Sequence, residues 1–468
     1  MNEITCKFAA VKSSIDYLMA NVIKLRKGLD IRLKGAAKGE RLRIKSGGDY
    51  ALAPASFVGI VPRPVVKEGA HVKAGEALFI NKQCPTVGFA SPVSGTVTAV
   101  VRGERRKLIY VKVKADAEQQ YVDYGVSDIA KLGGDDVVEK LAAAGLFGYI
   151  NQLPYAVSAN PADKPRAIFV SALRDMPLAA DFEKELADNE KDFQAGLTAL
   201  SKIAPVHLGI GARQTAEALT GARDVETHIF DGPCPAGNVG VQINNVEPVN
   251  KGEVVWTADP TSVIFFGRLF NTGKVDLRRL IAVAGSEVKT PGYAEALVGT
   301  RMSDILSGNV RQSAGNQRII NGNVLTGSIS SADDYLGAHT SEVCVIPEGD
   351  NANEFIGWIM PRLSQFSTSR SYFSWLQGKR EYALDARVKG GERHIIMSGE
   401  YDRVLPMDIY GEYLIKAILA GNIDQMEQLG IYEVSPEDFA VAEFVDSSKL
   451  ELQKIVREGL DMLRKENA

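Results

Sequence analysis

The feature that most narrows the possible folds is a change of hydrophobic rhythm near residue 126. Before it, short apolar runs are separated by glycine turns. Val65–Ile80 places turns at Gly69 and Gly75, and Ser91–Val100 repeats the pattern around Gly95. Short strands at even spacing predict a small all-β unit. After residue 126 strands alternate with helices. Asp135–Ala144 reads as a helix stopped by Gly145, Arg166–Ala172 as a strand, and 179–202 as a helix with Leu186, Phe193, Leu197 and Leu200 near one face. Pro205–Ile210, Arg213–Leu219 and Glu226–Phe230 continue as strand, helix and strand, and a Gly/Pro loop spans 231–240. Alternation of this kind predicts βαβ units and a largely parallel sheet. The rhythm returns to β over 251–345. Asp276–Gly285 contains a strand, Pro291-Gly292-Tyr293 reads as a turn, Met302–Leu306 as a short helix and Ile319–Gly327 as an Asn-Gly hairpin. From 346 the chain reads as mainly helical. Leu414, Ile415, Ile418 and Leu419 lie on one face before Gly421, Ser435-Pro436-Glu437-Asp438 is a helix start, and Leu452, Ile455, Val456, Leu460 and Leu463 line a last helix. The expected units are an N-terminal extension (1–22), a β unit (23–125), an α/β unit (126–250), a second β-rich unit (251–345) and a helical unit (346–468).

Composition excludes several classes. Lys plus Arg is 54 and Asp plus Glu is 58, a net charge of −4, which argues against nucleic acid as the main partner. No stretch approaches the ~20 apolar residues of a membrane span; the longest runs, such as Ser262–Phe266, are strand-sized. The N-terminus carries Glu3 and Asp16 without a continuous apolar run, so it does not read as a secretory signal. Residues 1–18 precede a second Met at Met19 and are expected to be dispensable. Cys6, Cys84, Cys234 and Cys344 form no C-x-x-C pair and read as reduced thiols. The five histidines form no H-x-x-x-H pair, so no self-contained metal site is expected.

The first β unit resembles the biotinyl/lipoyl barrel-sandwich family. Lys82 is the obvious acceptor to test, but it stands nine residues before Ser91, where lipoyl domains have seven, and Cys84-Pro85 follows it. An unmodified lysine and a free Cys84 thiol are therefore expected. The turn Gly209-Ile210-Gly211-Ala212-Arg213-Gln214 keeps two glycines of G-x-G-x-x-G and has Gln214 in place of the third. The third glycine permits close helix–strand packing, so a degenerate Rossmann-like domain without a working nucleotide site is expected. The strands around one short helix in 251–345 resemble a soluble-ligand-binding β-grasp (SLBB-like) domain.

That order of units, with several matching segments, resembles one family from about Met19 onward. The segments are Lys27–Ile31, Asp49-Tyr50, Lys73–Phe79, Ser91–Gly95, Pro235–Gly237, Gly267–Gly273 and Leu405–Tyr410. The chain resembles the A subunits of the sodium-translocating NADH:quinone oxidoreductases, which look like the flavoprotein component of complex I stripped of cofactors. Where family members often have Phe-Val-Cys-Pro-Ser-Lys, this chain has Phe444-Val445-Asp446-Ser447-Ser448-Lys449, with a helix start expected at Ser447 or Ser448. The resemblance implies a peripheral protein on the cytoplasmic side of the bacterial inner membrane, docked on the membrane-embedded B subunit. It implies no tightly bound cofactor of its own, flavins and iron–sulfur centres in partner subunits, and a role in quinone reduction coupled to Na⁺ export.

A quinone needs an apolar slot, an aromatic wall and donors for its carbonyls. Two stretches are candidates: Gly47-Gly48-Asp49-Tyr50, and the loop containing Phe147, Gln152, Pro154 and Tyr155. Family members carry an Arg-x-Arg-Pro-aromatic loop at the second; Asn151-Gln152-Leu153-Pro154-Tyr155 has neither arginine, which leaves Gln152 and Tyr155 as donors. No catalytic residue and no metal ligand is identified. The alternative is a structural scaffold that docks on the membrane-embedded partner and buries the aromatic loop in a seam between domains.

Overall fold

The computed structural model describes residues 22–45, 47–312, 315–350 and 361–467. Residues 1–21, with the segment 1–18 expected to be dispensable, Met19 and Cys6, lie outside the described residues.

A seven-stranded sheet organises the molecule. Its strands are β1 (Val22–Lys24), β2 (Ile150–Leu153), β3 (Val157–Ser158), β4 (Ile168–Ser171), β5 (Val206–Gly211), β6 (Glu226–Asp231) and β7 (Val255–Ala258), in the order β1-β6-β5-β4-β7-β2-β3. The first five in that order are parallel; β2 runs antiparallel to β7, and β3 antiparallel to β2. Helices α1 (Gly134–Ala143), α2 (Glu190–Ser201), α3 (Val239–Val246) and α4 (Pro260–Thr272) accompany it.

Four expectations change here. Val22–Lys24, which spans the expected boundary between extension and β unit, instead pairs with β6 as an edge strand. The helix expected over 179–202 breaks at 187–189 into Phe182–Leu186 and α2. The helix expected over Arg213–Leu219 shrinks to Glu217–Thr220. The sheet also continues past residue 250, because β7 is one of its strands and the apolar run Ser262–Phe266 is helical. Asp259 caps α4 by accepting from Thr261 N–H at 2.9 Å, Pro260 opens it and Gly273, at φ +69°, closes it. The helix is apolar from Val263 to Phe266 because that stretch is buried on every side.

The barrel-sandwich consists of a four-stranded sheet (Asp49–Leu52, Leu108–Ala115, Gly95–Arg102, His71–Val72) against a three-stranded one (Pro62–Pro64, Ala77–Asn81, Cys84–Ala90). Its inner residues, including Leu78, Phe89 and Val111, share one continuous core with α1, α2 and α4. Lys82 is exposed in the two-residue turn between Asn81 and Cys84. Cys84, Cys234 and Cys344 are free.

A six-stranded sheet follows, ordered Ser328–Ser330, Gln317–Asn321, Glu342–Pro347, Arg278–Ala284, Gly292–Leu297 and Arg41–Leu42. Met302–Ile305 is its short helix. Pro291-Gly292-Tyr293, read as a turn, instead starts a strand paired with Arg278–Ala284. The Asn-Gly hairpin is present, but its loop runs from Gly322 to Gly327. Arg41–Leu42 ties the N-terminal segment to this sheet.

The tail is less helical than its pattern suggests. Over 361–399 the described elements reduce to the short turn Phe373–Gln377. Helices α5 (Gly411–Leu419) and α6 (Leu452–Glu466) then pack Leu414, Ile418, Leu460 and Leu463 into a second core with Phe230 and Val241. The expected helix start at Ser435 is a short 3-10 turn (Pro436–Phe439), and Ser435 N–H donates to Asp438 at 2.8 Å. The last helix starts at Leu452 rather than at Ser447 or Ser448. Buried Asp446 accepts from Ser448 N–H at 3.1 Å and Leu450 N–H at 2.8 Å, and these bonds hold a turn ahead of the helix.

Candidate functional site

In an open parallel sheet, ligands bind outside the carboxyl ends of the strands where the winding reverses. Here the chain leaves β4 towards β5 and β6, then returns to β7 on the other side of β4. The residues after these two ends are Leu173–Met176 and Asp259-Pro260, and between them opens a cavity of about 770 Å³. The barrel, the β-grasp sheet and the C-terminal helices all contribute to its walls, through Ser56, Asn323 and Glu342, and Ser435 and Arg457.

Its polar groups are unusual for a buried space. Arg174 donates to Thr261 Oγ1 at 2.8 Å and reaches both Asp259 oxygens at 3.3 Å, with Glu185 at 3.6 Å. Its Nη1 makes no hydrogen bond. Asp175 accepts from Gly237 N–H at 3.0 Å through Oδ2, while Oδ1 has no partner. Burial pushes the Asp175 carboxyl up to about 6, against the pull of those backbone donors. Burial also raises Glu342, which accepts from Asn323 Nδ2 at 3.2 Å. Buried Asp438 is raised too, first by desolvation; Glu437 lines the cavity as an exposed residue. Burial pulls His339 down to about 4, so its ring is neutral at pH 7, and its Nε2 is unpartnered. Asp259 goes the other way: burial pushes it up, but Arg174 and Arg279 outweigh this and hold it below the usual range.

The sequence-identified residues separate in space. Gln152 lines the cavity with Leu153; its Oε1 accepts from Asn160 N–H at 3.1 Å. Tyr155 does not line it. Its phenol accepts from Asn467 Nδ2 at 3.2 Å, and Arg457 donates to its carbonyl at 2.7 Å, so it is held in the seam with α6. Phe147 is fully buried, edge-on to Trp256 at 5.3 Å, and Pro154 is buried beside the cavity without lining it. Gly47-Gly48-Asp49-Tyr50 lies at the seam between barrel and β-grasp sheet: a Cβ on Gly47 would sit 2.3 Å from Asp304, and Tyr50 bridges to Thr300. The two stretches therefore do not converge on one site. Arg174, Asp175, His339 and Glu437 were missed; the available signal was that Arg174 and Asp175 follow a predicted parallel strand.

The degenerate glycine turn does not fit a dinucleotide. Gln214 Oε1 accepts from Gly211 N–H at 2.8 Å and its Nε2 donates to Ala172 O at 2.9 Å, so the turn is filled by its own side chain. The cavity offers four carboxyl groups (Asp175, Asp259, Glu342, Glu437) against three cations (Arg174, Lys454, Arg457), a poor match for a pyrophosphate.

Three domain families match in the order of these units: the NqrA N-terminal barrel-sandwich hybrid domain over residues 23–116, the NqrA second alpha/beta domain over 132–275 and the NQRA C-terminal domain over 280–332. The A subunit of the Na(+)-translocating NADH-quinone reductase of Yersinia pestis bv. Antiqua (strain Angola) is 34% identical over 450 residues, covering 95% of this chain and all of the relative. Its counterparts in Neisseria meningitidis serogroup B and Serratia proteamaculans are 33% and 35% identical with the same coverage. The chain belongs to the A-subunit family of Na⁺-translocating NADH-quinone reductases. As a member it is one component of a respiratory oxidoreductase that moves Na⁺, and the other components of that complex are its partners. Among the described residues no helix is long and apolar enough to cross a membrane. Among solved structures, an NAD⁺-reducing [NiFe]-hydrogenase chain aligns at a TM-score of only 0.29 and 14% identity, over 40% of this chain and 41% of its own.

Proposed function

We propose that the cavity holds the head group of the quinone during its reduction. In this reading the chain is a peripheral component on the cytoplasmic side of the inner membrane, docked on the membrane-embedded B subunit. It has no tightly bound redox cofactor, and electrons arrive from flavins and iron–sulfur centres in partner subunits. The observation that carries the reading is the cavity at the β4/β7 switch point, where Leu153, Leu173, Met176 and Val239 supply apolar wall and Gln152, Arg174 and Asp175 supply donors.

The chemistry suits those groups. Reduction adds two electrons and two protons to a quinone, and negative charge builds on its oxygens before the protons arrive. Donors already aimed at those oxygens favour the reduced forms over the quinone. Arg174 lines the cavity and sets its positive charge beside the developing negative charge, with Nη1 turned to Glu185 at 3.6 Å. Asp175, raised to about 6, carries a proton on a fraction of molecules near neutral pH and recovers it from solvent after giving it up.

The test uses the assembled complex. Gln152→Leu and Asp175→Asn should each slow NADH-to-quinone turnover by roughly 5- to 150-fold, the equivalent of about 1–3 kcal/mol. Transfer from NADH to an artificial flavin-level acceptor should not change. If the chain is only a scaffold, both variants leave quinone turnover within about twofold of the parent.

A further inference from the structure

The cavity occupies the carboxyl ends of the parallel strands; a second cluster lies at the opposite end of the same sheet. His207 of β5 is the register partner of Glu226 of β6, and His228 follows two residues later on β6. Side chains two residues apart on a strand share a face, so the three project together. His207 Nδ1 and His228 Nε2 are 3.0 Å apart. Glu226 Oε2 is 3.7 Å from the first and Glu226 Oε1 is 3.8 Å from the second. Three N and O donors around one tetrahedral ion, at bond lengths of about 2.0–2.2 Å, are spaced about 3.3–3.6 Å apart. The His–His spacing lies just below that range and the two His–carboxylate spacings, each to a different Glu226 oxygen, just above it; one atom from each residue lies within 4.8 Å of the others, and side-chain rotations close the difference.

We propose that His207, His228 and Glu226 form a site for one divalent first-row metal ion, of which Zn²⁺ best suits two imidazoles and a carboxylate. The two rings are buried and the Glu226 side chain is half exposed, so the fourth position faces solvent and an access path exists. Phe169 stacks on His207 at 4.5 Å and 20°, which holds that ring in plane. The nearby cation Arg166 is engaged by Glu247 at 3.4 Å and Glu253 at 2.9 Å, so its charge is compensated. Without metal the facing nitrogens share one N–H; on metal binding the donor ring releases that proton to solvent and takes one up on its other nitrogen, so both facing nitrogens present lone pairs to the ion. Because the cluster lies away from the β4/β7 switch point, the ion acts as a clip between β5 and β6 rather than in quinone chemistry.

The test uses the tag-free full chain, stripped with chelator, titrated with Zn²⁺ by calorimetry and melted with and without the ion. One equivalent should bind saturably and raise the melting midpoint. His228→Ala should abolish both effects. Glu226→Gln, a change on a half-exposed side chain that spares the fold, should weaken binding by about tenfold or more. Absence of saturable binding to the parent chain would overturn the proposal. So would one-equivalent binding that survives unchanged in the cooperatively melting Glu226→Gln chain.

Discussion

At the residue scale, neighbours in one loop have different roles. Gln152 faces the cavity, whereas Tyr155, three positions on, is tied to Asn467 and Arg457. Tyr155→Phe should therefore leave quinone turnover in the complex within about twofold, while Gln152→Leu lowers it; equal losses in both would contradict the division of labour. Asp175 gives a pH test. Its folded value of about 6 lies above its ordinary 3.8, so between those values the folded chain holds a proton that the unfolded chain has released. Stability contributed by the neutral carboxyl is present at low pH and lost as pH rises through that window. Asp175→Asn cannot ionise, so it should gain on the parent between pH 4 and pH 7. The full shift corresponds to up to about 3 kcal/mol, which cavity solvent reduces to order 1 kcal/mol. Denaturant unfolding at the two pH values checks this, and a constant difference would refute it. The sequence made Gln152 legible as a donor beside apolar residues. It did not make His207 and His228 legible as a pair, because 21 residues separate them and only strand register brings them together.

At the element scale, the packing of α4 on α2 depends on two glycines. A Cβ on Gly196 would lie 2.0 Å from Val263 O, and one on Gly267 would lie 1.7 Å from Asp192 O. Gly267→Ala gains helix propensity of about 1 kcal/mol but must separate the two backbones. Overpacking outweighs the gain, and we expect a net loss of about 1–3 kcal/mol, read as a lower unfolding midpoint. A variant as stable as the parent would show that the helices separate freely. Most elements with a clear rhythm were legible: β4, β5, β6, α5 and the face of α6. Helix α4 was not, since Ser262–Phe266 is apolar all round and periodicity cannot tell a buried strand from a buried helix. The signals that decide it are Asp259-Pro260 at one end and Gly273 at the other.

At the scale of the whole molecule, the units interlock. The N-terminal segment contributes an edge strand to the seven-stranded sheet and another to the β-grasp sheet, and barrel and α/β residues share one core. The cavity exists only because these units meet, which is why no single motif in the sequence announced it. The order of barrel-sandwich, α/β, β-grasp and helices was legible from rhythm and resemblance; the convergence of their loops was not, because it depends on contacts between residues hundreds of positions apart. The most direct measurement is calorimetric titration of the isolated full-length chain with a short-chain, water-soluble quinone, repeated with Gln152→Leu. We predict one saturable equivalent for the parent chain and binding weakened by about fivefold, the value of one hydrogen bond, for the variant. Failure of the folded parent chain to bind the quinone, or equal binding by the two chains, would contradict the assignment of the cavity.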